Sequence, residues 1–328
     1  MPTDTDRQTR LILAPMEGVI DAVMREMLTR LGGIDRCVTE FVRVSQTKLP
    51  SRVFYRLCPE LRSDGRTASG VPVYVQLLGS DPALMAANAQ VAARLGAPGV
   101  DLNFGCPAKT VNKSEGGAVL LRRPRLVGEV CRAVRDAVPS DIPVTAKIRL
   151  GFDDDGDFEQ VLECLADTGI SELVVHARTR RQGYRPPAHW HRLQVARAQL
   201  PMPIIANGEL WSPGDVQQCR EISGCEDFML ARGALCRPDL PAAVRASLEQ
   251  TSHEPLVWAE VQEMLQHFLE ANAQAYERRY AVNPVKQWLV YLKHYYPQAA
   301  ALFAATKRIN DPHDMATALQ TTCSARAA

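Results

Sequence analysis

The chain has 328 residues, 46% of them hydrophobic and 23% charged, with a formal net charge of +1. That composition suits a soluble globular protein with one large core and a smaller unit, and any nucleic-acid partner would have to be met by local basic patches. No apolar run approaches the roughly 20 residues needed to cross a bilayer, and the polar start "MPTDTDRQTR" holds no apolar signal segment, so a cytoplasmic protein without a membrane partner is expected.

Short apolar runs recur along the chain: "RLILAPM", "RCVTEFV", "VPVYVQLLG", "GVDLNFG", "IPVTAKIRLG", "ELVVHAR", "MPIIANG" and "DFMLARG". Most are rich in Val, Ile and Leu, as parallel strands covered by helices should be. Between them lie segments with helical spacing: "DAVMREMLTRL", "PALMAANAQVAARLG", "PRLVGEVCRAVRDAV" and "DFEQVLECLADTG". "SPGDVQQCREISG" offers Ser212 as N-cap and Pro213 at the first helical position. Eight β-then-α units predict a (β/α)8 TIM barrel over residues 1–250. A doubly wound open sheet is the alternative, but its Gly-x-Gly-x-x-Gly turn is missing from "APMEGVID".

After "QTSHEP" the pattern becomes helical. Val257, Val261, Met264, Leu265, Phe268 and Leu269 share one face, and "PVKQWLVYLKHYYP" and "QAAALFAATKRI" follow. An all-helical bundle domain is expected over residues 251–328.

The nine cysteines are odd in number and show no Cys-x-x-Cys spacing. Neither a disulfide framework nor a zinc site is indicated, and most should be buried thiols. His189 and His191 have no carboxylate or cysteine at ligand spacing. They suit a solvated loop or helix start, and no metal is expected.

In a barrel of this kind, functional side chains sit at the C-terminal ends of the strands. Those ends carry Pro15 and Met16, Glu40 and Arg43, Gln76, Asn103 and Cys106, Lys147 and Arg149, His176 and Arg178, Asn207, and Arg232. A buried lysine or histidine needs a partner, and a shared anionic ligand would serve several at once. The seventh and eighth strands end in "ANGE" and "ARGA". Gly208 and Gly233 would let backbone N–H groups approach a phosphate, with Arg232 adding charge. A phosphate-bearing cofactor over the barrel mouth is the expectation.

The motifs "APMEGV", "TEFVRV", "DLNFGCPAKTVNKSEGGAVLL", "VTAKIRLG", "ELVVHARTRRQGYR", "IIANGE" and "ISGCEDFMLARGAL" resemble those of the tRNA-dihydrouridine synthases. With "VKQWLVYLK", they are similar to the bacterial C-type subfamily, which acts on uridine 16 of tRNA. The resemblance runs from about residue 10 to about residue 310. It implies an FMN barrel that reduces the C5–C6 bond of uracil in tRNA, with NADPH as reductant. It implies that Pro15, Met16, Glu17, Gln76, Lys147, His176, Asn207, Gly208, Glu209, Ala231, Arg232 and Gly233 hold FMN. The uracil would meet Asn103, Arg149 and Tyr184, with Cys106 as the proton donor. The tRNA body would meet Arg43, Lys286, Gln287, Trp288, Lys293 and Lys307. Ala231, Phe104 and Pro284 depart from the family's usual residues, and the first nine residues or so are extra.

Basic residues Arg278, Arg279, Lys286, Lys293, Lys307 and Arg308 face the single acid Glu277 within residues 274–308. "RTRRQGYR" adds Arg178, Arg180, Arg181 and Arg185. Two other readings share parts of this pattern. One is an FMN barrel acting on a free pyrimidine, similar to dihydroorotate dehydrogenase; the other is a catalytically silent tRNA-binding factor. No NADPH-binding motif is evident, and a monomer is expected.

Overall fold

The computed structural model describes residues 8–113 and 115–324, with side chains as far as residue 320. Nine parallel strands form the centre: β1 (Leu11–Leu13), β2 (Arg36–Val38), β3 (Val42–Arg43), β4 (Val73–Leu78), β5 (Val100–Phe104), β6 (Val144–Arg149), β7 (Glu172–His176), β8 (Ile204–Asn207) and β9 (Asp227–Leu230). β1 pairs with both β2 and β9, and β2 pairs with β4, so the sheet closes into a barrel. The short β3 adds to β4 beyond that ring. The run "RCVTEFV", expected as one strand, is therefore broken at Thr39. The reason is local: Thr39 Oγ1 accepts the Gln76 backbone N–H at 3.0 Å, so a side chain replaces a ladder carbonyl.

Strand alternation sorts the side chains into two cores. Ile12, Val38, Tyr74, Val174, Ile205 and Met229 cluster inside the barrel. Their neighbours Leu11, Leu13, Val75, Leu102, Ala146 and Val175 join the much larger core under the helices. Phe104 belongs to that outer core and is fully buried, so its bulk does not enter the barrel mouth. At the bottom, Arg36 donates to Glu172 at 2.6 Å and stacks over Tyr74 at 4.5 Å. Arg10 reaches both Glu172 and Asp227. These groups fill the lower end of the barrel with paired charge.

The crossover helices include α1 (Ala22–Thr29), α2 (Ser51–Leu57), α3 (Pro82–Arg94), α4 (Lys109–Lys113), α5 (Pro124–Ala137), α6 (Phe158–Ala166), α7 (Arg192–Gln199) and α8 (Pro213–Ser223). α2 and α4 are too short to announce themselves by periodicity. α8 starts as expected: Ser212 Oγ accepts from Asp215 N, and Gly224 ends the helix in the left-handed region. α7 begins directly after His191, matching the helix-start reading of that segment. α9 (Arg232–Cys236) and α10 (Leu240–Leu248) complete the shell.

Residues 251–257 are irregular, and then come α11 (Trp258–Ala275), α12 (Val282–Leu292), α13 (Pro297–Thr306) and α14 (Pro312–Ser324). Val257 departs from the expected apolar face. It precedes the first helical residue and is 61% exposed, while its backbone N–H is capped by Glu260. Pro284 falls in the first turn of α12, where its missing N–H costs nothing. The helices share the outer core of the barrel through Val261, Leu265, Phe268, Val285 and Leu289.

Trp288 lies in the core rather than on the surface. It was expected on the tRNA-facing surface, but it is 1% exposed, lies edge-on to Phe268 at 5.0 Å, and donates its Nε1–H to the Leu235 carbonyl at 3.1 Å. It pins α12 to α9, because a flat apolar ring with one donor is best spent where a carbonyl lies within reach. Trp288→Ala should cost about 3–5 kcal/mol of stability. Denaturant unfolding checks this: a variant as stable as wild type that loses only tRNA affinity would restore the surface role.

Candidate active site

The upper end of the barrel opens into a cleft of about 540 Å³. All twelve residues expected around the cofactor line it, from Pro15, Met16 and Glu17 to Ala231, Arg232 and Gly233. Asn103, Cys106, Arg149 and Tyr184 line it too. Parallel register brings them there. Asn103 lies opposite Lys147, Arg149 opposite His176, and His176 opposite Asn207.

The cationic floor is the main electrostatic feature. Lys147 Nζ donates to Asn207 Oδ1 at 2.8 Å, and Asn207 Nδ2 in turn donates to the Met229 carbonyl. Burial, reinforced by Arg149, pushes the Lys147 amine down to about 7, against a weaker pull from Asp101. Arg149 is itself lowered to about 10, chiefly by burial. His176 is held well below its usual value by burial and by Arg149, so it is neutral. Its Nε2 lies 3.4 Å from Arg178 Nη1. Arginine can only donate, so Nε2 is the acceptor and the ring proton resides on Nδ1.

Two expected cofactor residues also hold hydrogen bonds within the protein. The Glu209 carboxylate accepts from Arg178 Nη2 and, at 2.5 Å, from the Ala188 backbone N–H. Gln76 is fully buried, its amide donating to Asp101 at 2.6 Å and accepting from Asn103 at 2.7 Å. Both still line the cleft. Arg149 is also largely a brace: Nε donates to the Gly105 carbonyl, and Nη1 to Thr179 and Gly183.

Cys106 sits on the loop after β5. The Asn103 side-chain carbonyl accepts the N–H groups of both Gly105 (2.9 Å) and Cys106 (2.5 Å). The Cys106 carbonyl accepts from Ala118 N and from Asn112 Nδ2. Gly117 has φ of +68°, and a Cβ there would lie 2.7 Å from the Cys106 carbonyl oxygen, so only glycine permits this closure. Burial pushes the Cys106 thiol up from its usual value, with Glu17 adding to the rise, while the Ala108 N–H, Arg149 and Arg43 pull it back. The thiol is thus protonated at neutral pH.

The family model for dihydrouridine synthases matches residues 12–328. The chain belongs to the dihydrouridine synthase family. Among curated relatives, "tRNA-dihydrouridine(16) synthase" of Pseudomonas putida is 50% identical over 302 residues, covering 92% of this chain and 94% of its own. The enzyme of the same name from Aquipseudomonas alcaligenes is 51% identical, covering 92% and 96%. Solved structures agree on the fold alone. An old yellow enzyme homologue from Zymomonas mobilis aligns with TM-score 0.50 and 15% identity over 76% of this chain and 91% of its own. A 2-naphthoyl-CoA reductase aligns with TM-score 0.55 and 14% identity over 74% of this chain and 50% of its own.

This dihydrouridine synthase also places unforeseen residues at the cleft. Trp211 and Tyr291 line it, and Arg232 stacks between the Tyr184 and Trp211 rings, 4.7 Å from each. Tyr184 and Trp211 are 53% and 38% exposed, so they form the rim. Tyr291 comes from α12, which binds the helical segment to the mouth of the barrel. Arg178 and Glu40 were visible as strand-end polar residues, but their work was not. Arg178 is fully buried, and Glu40 accepts the Gly18 N–H at 2.5 Å.

Arg43, Lys286, Gln287, Lys293 and Lys307 do not line the cleft. Arg43, Gln287, Lys293 and Lys307 are exposed, and Lys286 donates to Asn310 at 3.1 Å. The basic stretch is more balanced than its sequence suggests, since Arg278 pairs with Asp311 and Arg279 with Glu277.

Proposed function

We propose that this dihydrouridine synthase reduces the C5–C6 bond of uridine in tRNA at position 16, with FMN in the cleft and NADPH as the electron source. The carrying observation is the convergence of the protonated Cys106 thiol and the cationic floor of Lys147, Arg149 and Arg232 in one cleft of a dihydrouridine synthase. Relatives named for position 16 are about 50% identical along nearly the whole chain.

The cleft suits FMN on physical grounds. Lys147 and Arg149 bring surplus positive charge to a half-buried floor, and their lowered pKa values mark a demand for an acceptor-rich partner. Gly208 has φ of +109°, and a Cβ there would strike the His176 ring at 2.6 Å, so the backbone stays bare beside the expected phosphate position. Gly208, Gly233 and Arg232 would hold the phosphate, and Lys147 and Asn207 the polar edge of the ring. When bound, FMN supplies the hydride that C6 of uracil receives. Cys106 delivers the proton to C5. Asn103 and Arg149 donate to the base, whose carbonyl oxygens are acceptors. Tyr184 and Trp211 present rim faces for an unstacked nucleotide, since the base must leave the tRNA stack to react. Exposed Arg43, Lys293 and Lys307 suit phosphate contacts along the tRNA body.

Expression in a bacterial host stripped of its own dihydrouridine synthases tests the reading. Dihydrouridine should return at position 16 of tRNA and nowhere else. Purified protein that is colourless, or that reduces a free pyrimidine in preference to tRNA, would overturn it.

A further inference from the structure

Asp101 plays no part in the chemistry above, yet it is a carboxylate sealed in the barrel at 1% exposure. Its two oxygens accept from Thr145 Oγ1 and Gln76 Nε2, each at 2.6 Å. Gln76 Oε1 then accepts from Asn103 Nδ2 at 2.7 Å, and Asn103 Oδ1 accepts from the N–H groups of Gly105 and Cys106. Donor and acceptor ends are fixed at both extremities of this chain. Backbone N–H groups can only donate, so the Asn103 oxygen must face the loop and its amide nitrogen must face Gln76. The Asp101 carboxylate, receiving from Thr145 and Gln76, holds Gln76 the same way round from the other end.

We propose that Asp101 is a positioning residue: acting through Gln76 and Asn103, it fixes the Cys106 loop and leaves Asn103 a single N–H for the bound base. Both lone pairs of Asn103 Oδ1 are taken, and one of its two amide hydrogens goes to Gln76. Toward a ligand in the cleft, Asn103 is then a donor only. A uracil carbonyl accepts from it, whereas the 4-amino group of cytosine does not. The selection of base and the aim of the acid are thereby set by one buried carboxylate. This extends the uridine-reducing reading and rests on it.

Asp101→Leu removes the acceptor at nearly constant size. Asp101→Asn keeps one oxygen for Gln76 and offers its amide to the Thr145 hydroxyl, which can accept. Three readouts separate positioning from simple stability. In the flavin-free protein, Cys106 of Asp101→Leu should be alkylated by iodoacetamide several-fold faster than in wild type, with Asp101→Asn unchanged. In the loaded enzyme, reoxidation of reduced flavin by tRNA should fall about 10- to 100-fold in Asp101→Leu, the usual consequence of misplacing a reacting group by about 1 Å. Flavin reduction by NADPH, which does not need Cys106, should keep its rate. Asp101→Asn should restore reoxidation to within a few-fold of wild type.

Equal alkylation and reoxidation in Asp101→Leu and wild type would overturn the proposal. So would a parallel fall of both half-reactions, or an Asp101→Asn as impaired as Asp101→Leu. Asp101→Ala carries the same comparison if the leucine variant does not fold. Failure of both to fold, with Asn folding normally, would assign Asp101 to stability alone and also overturn it. A wild type that fails to reduce uridine in tRNA would instead refute the function, while the alkylation result would still report on the loop.

Discussion

Cys106→Ala should slow uridine reduction by orders of magnitude while leaving the rest of the protein at work. In single-turnover stopped flow, reoxidation of the reduced flavin by tRNA should slow by about 10²- to 10⁴-fold, the range for loss of a positioned general acid. Flavin content, flavin reduction by NADPH and tRNA affinity should be unchanged, because no hydrogen bond that holds the loop runs through the thiol. Asn103, Asn112 and Ala118 all grip backbone atoms of the loop. Reoxidation at a rate comparable to wild type would sink the assignment. A buried, inert cysteine would also be costly to replace, but its loss would appear in the melting temperature and spare the flavin half-reaction with tRNA.

Lys147→Met should weaken flavin binding about 10- to 100-fold, as expected for one charge-assisted hydrogen bond. It should also change how the flavin-free protein responds to pH. In the folded state the Lys147 amine titrates at about 7, and its unperturbed value is 10.5. Below about pH 7 it is charged in both folded and unfolded chains, and the full cost of burying the charge is present. Between about 7 and 10.5 the unfolded chain binds more protons, so this residue makes stability rise with pH. The magnitude is on the order of a few kcal/mol. The methionine variant should therefore melt higher than wild type near neutral pH, and the gap should close toward pH 10. Thermal melts across that range, with flavin titrations by fluorescence quenching, check both halves. Parallel melting curves would mean the amine is solvated and titrates normally.

The barrel was legible because its signals are local and repeated. Most strands are short apolar runs, and the longer helices show their own period, caps or closing glycine. The residues around the cleft were legible for a related reason. Parallel strands of similar length deliver their C-terminal ends to one rim, so Gln76, Asn103, Lys147, His176 and Asn207 could be gathered by position alone. What those side chains do there was not legible. Gln76 and Glu209 read as ligand contacts; that they also bond Asp101 and Asn103, and Arg178 and Ala188, did not show. Trp288 read by resemblance as a tRNA contact, although it shares a helical face with Tyr291 and Tyr295. Its place is in the core, because a helix period says which residues share a face but not what covers that face.

The sequence by itself determined the barrel, the ring of polar strand ends, the Gly-Cys-Pro loop and the family resemblance. Each of these depends on near neighbours in the chain or on strand register. Only the tertiary structure decided how the polar groups are shared out. The Asp101–Gln76–Asn103 chain links residues 25 and 27 apart, and Arg232 stacks between Tyr184 and Trp211 from different loops. Hydrogen bonds and ring stacking act over a few ångströms and take no account of sequence distance. The direction in which Asn103 points, and with it the aim of Cys106, is therefore set where the closed barrel brings these groups into contact.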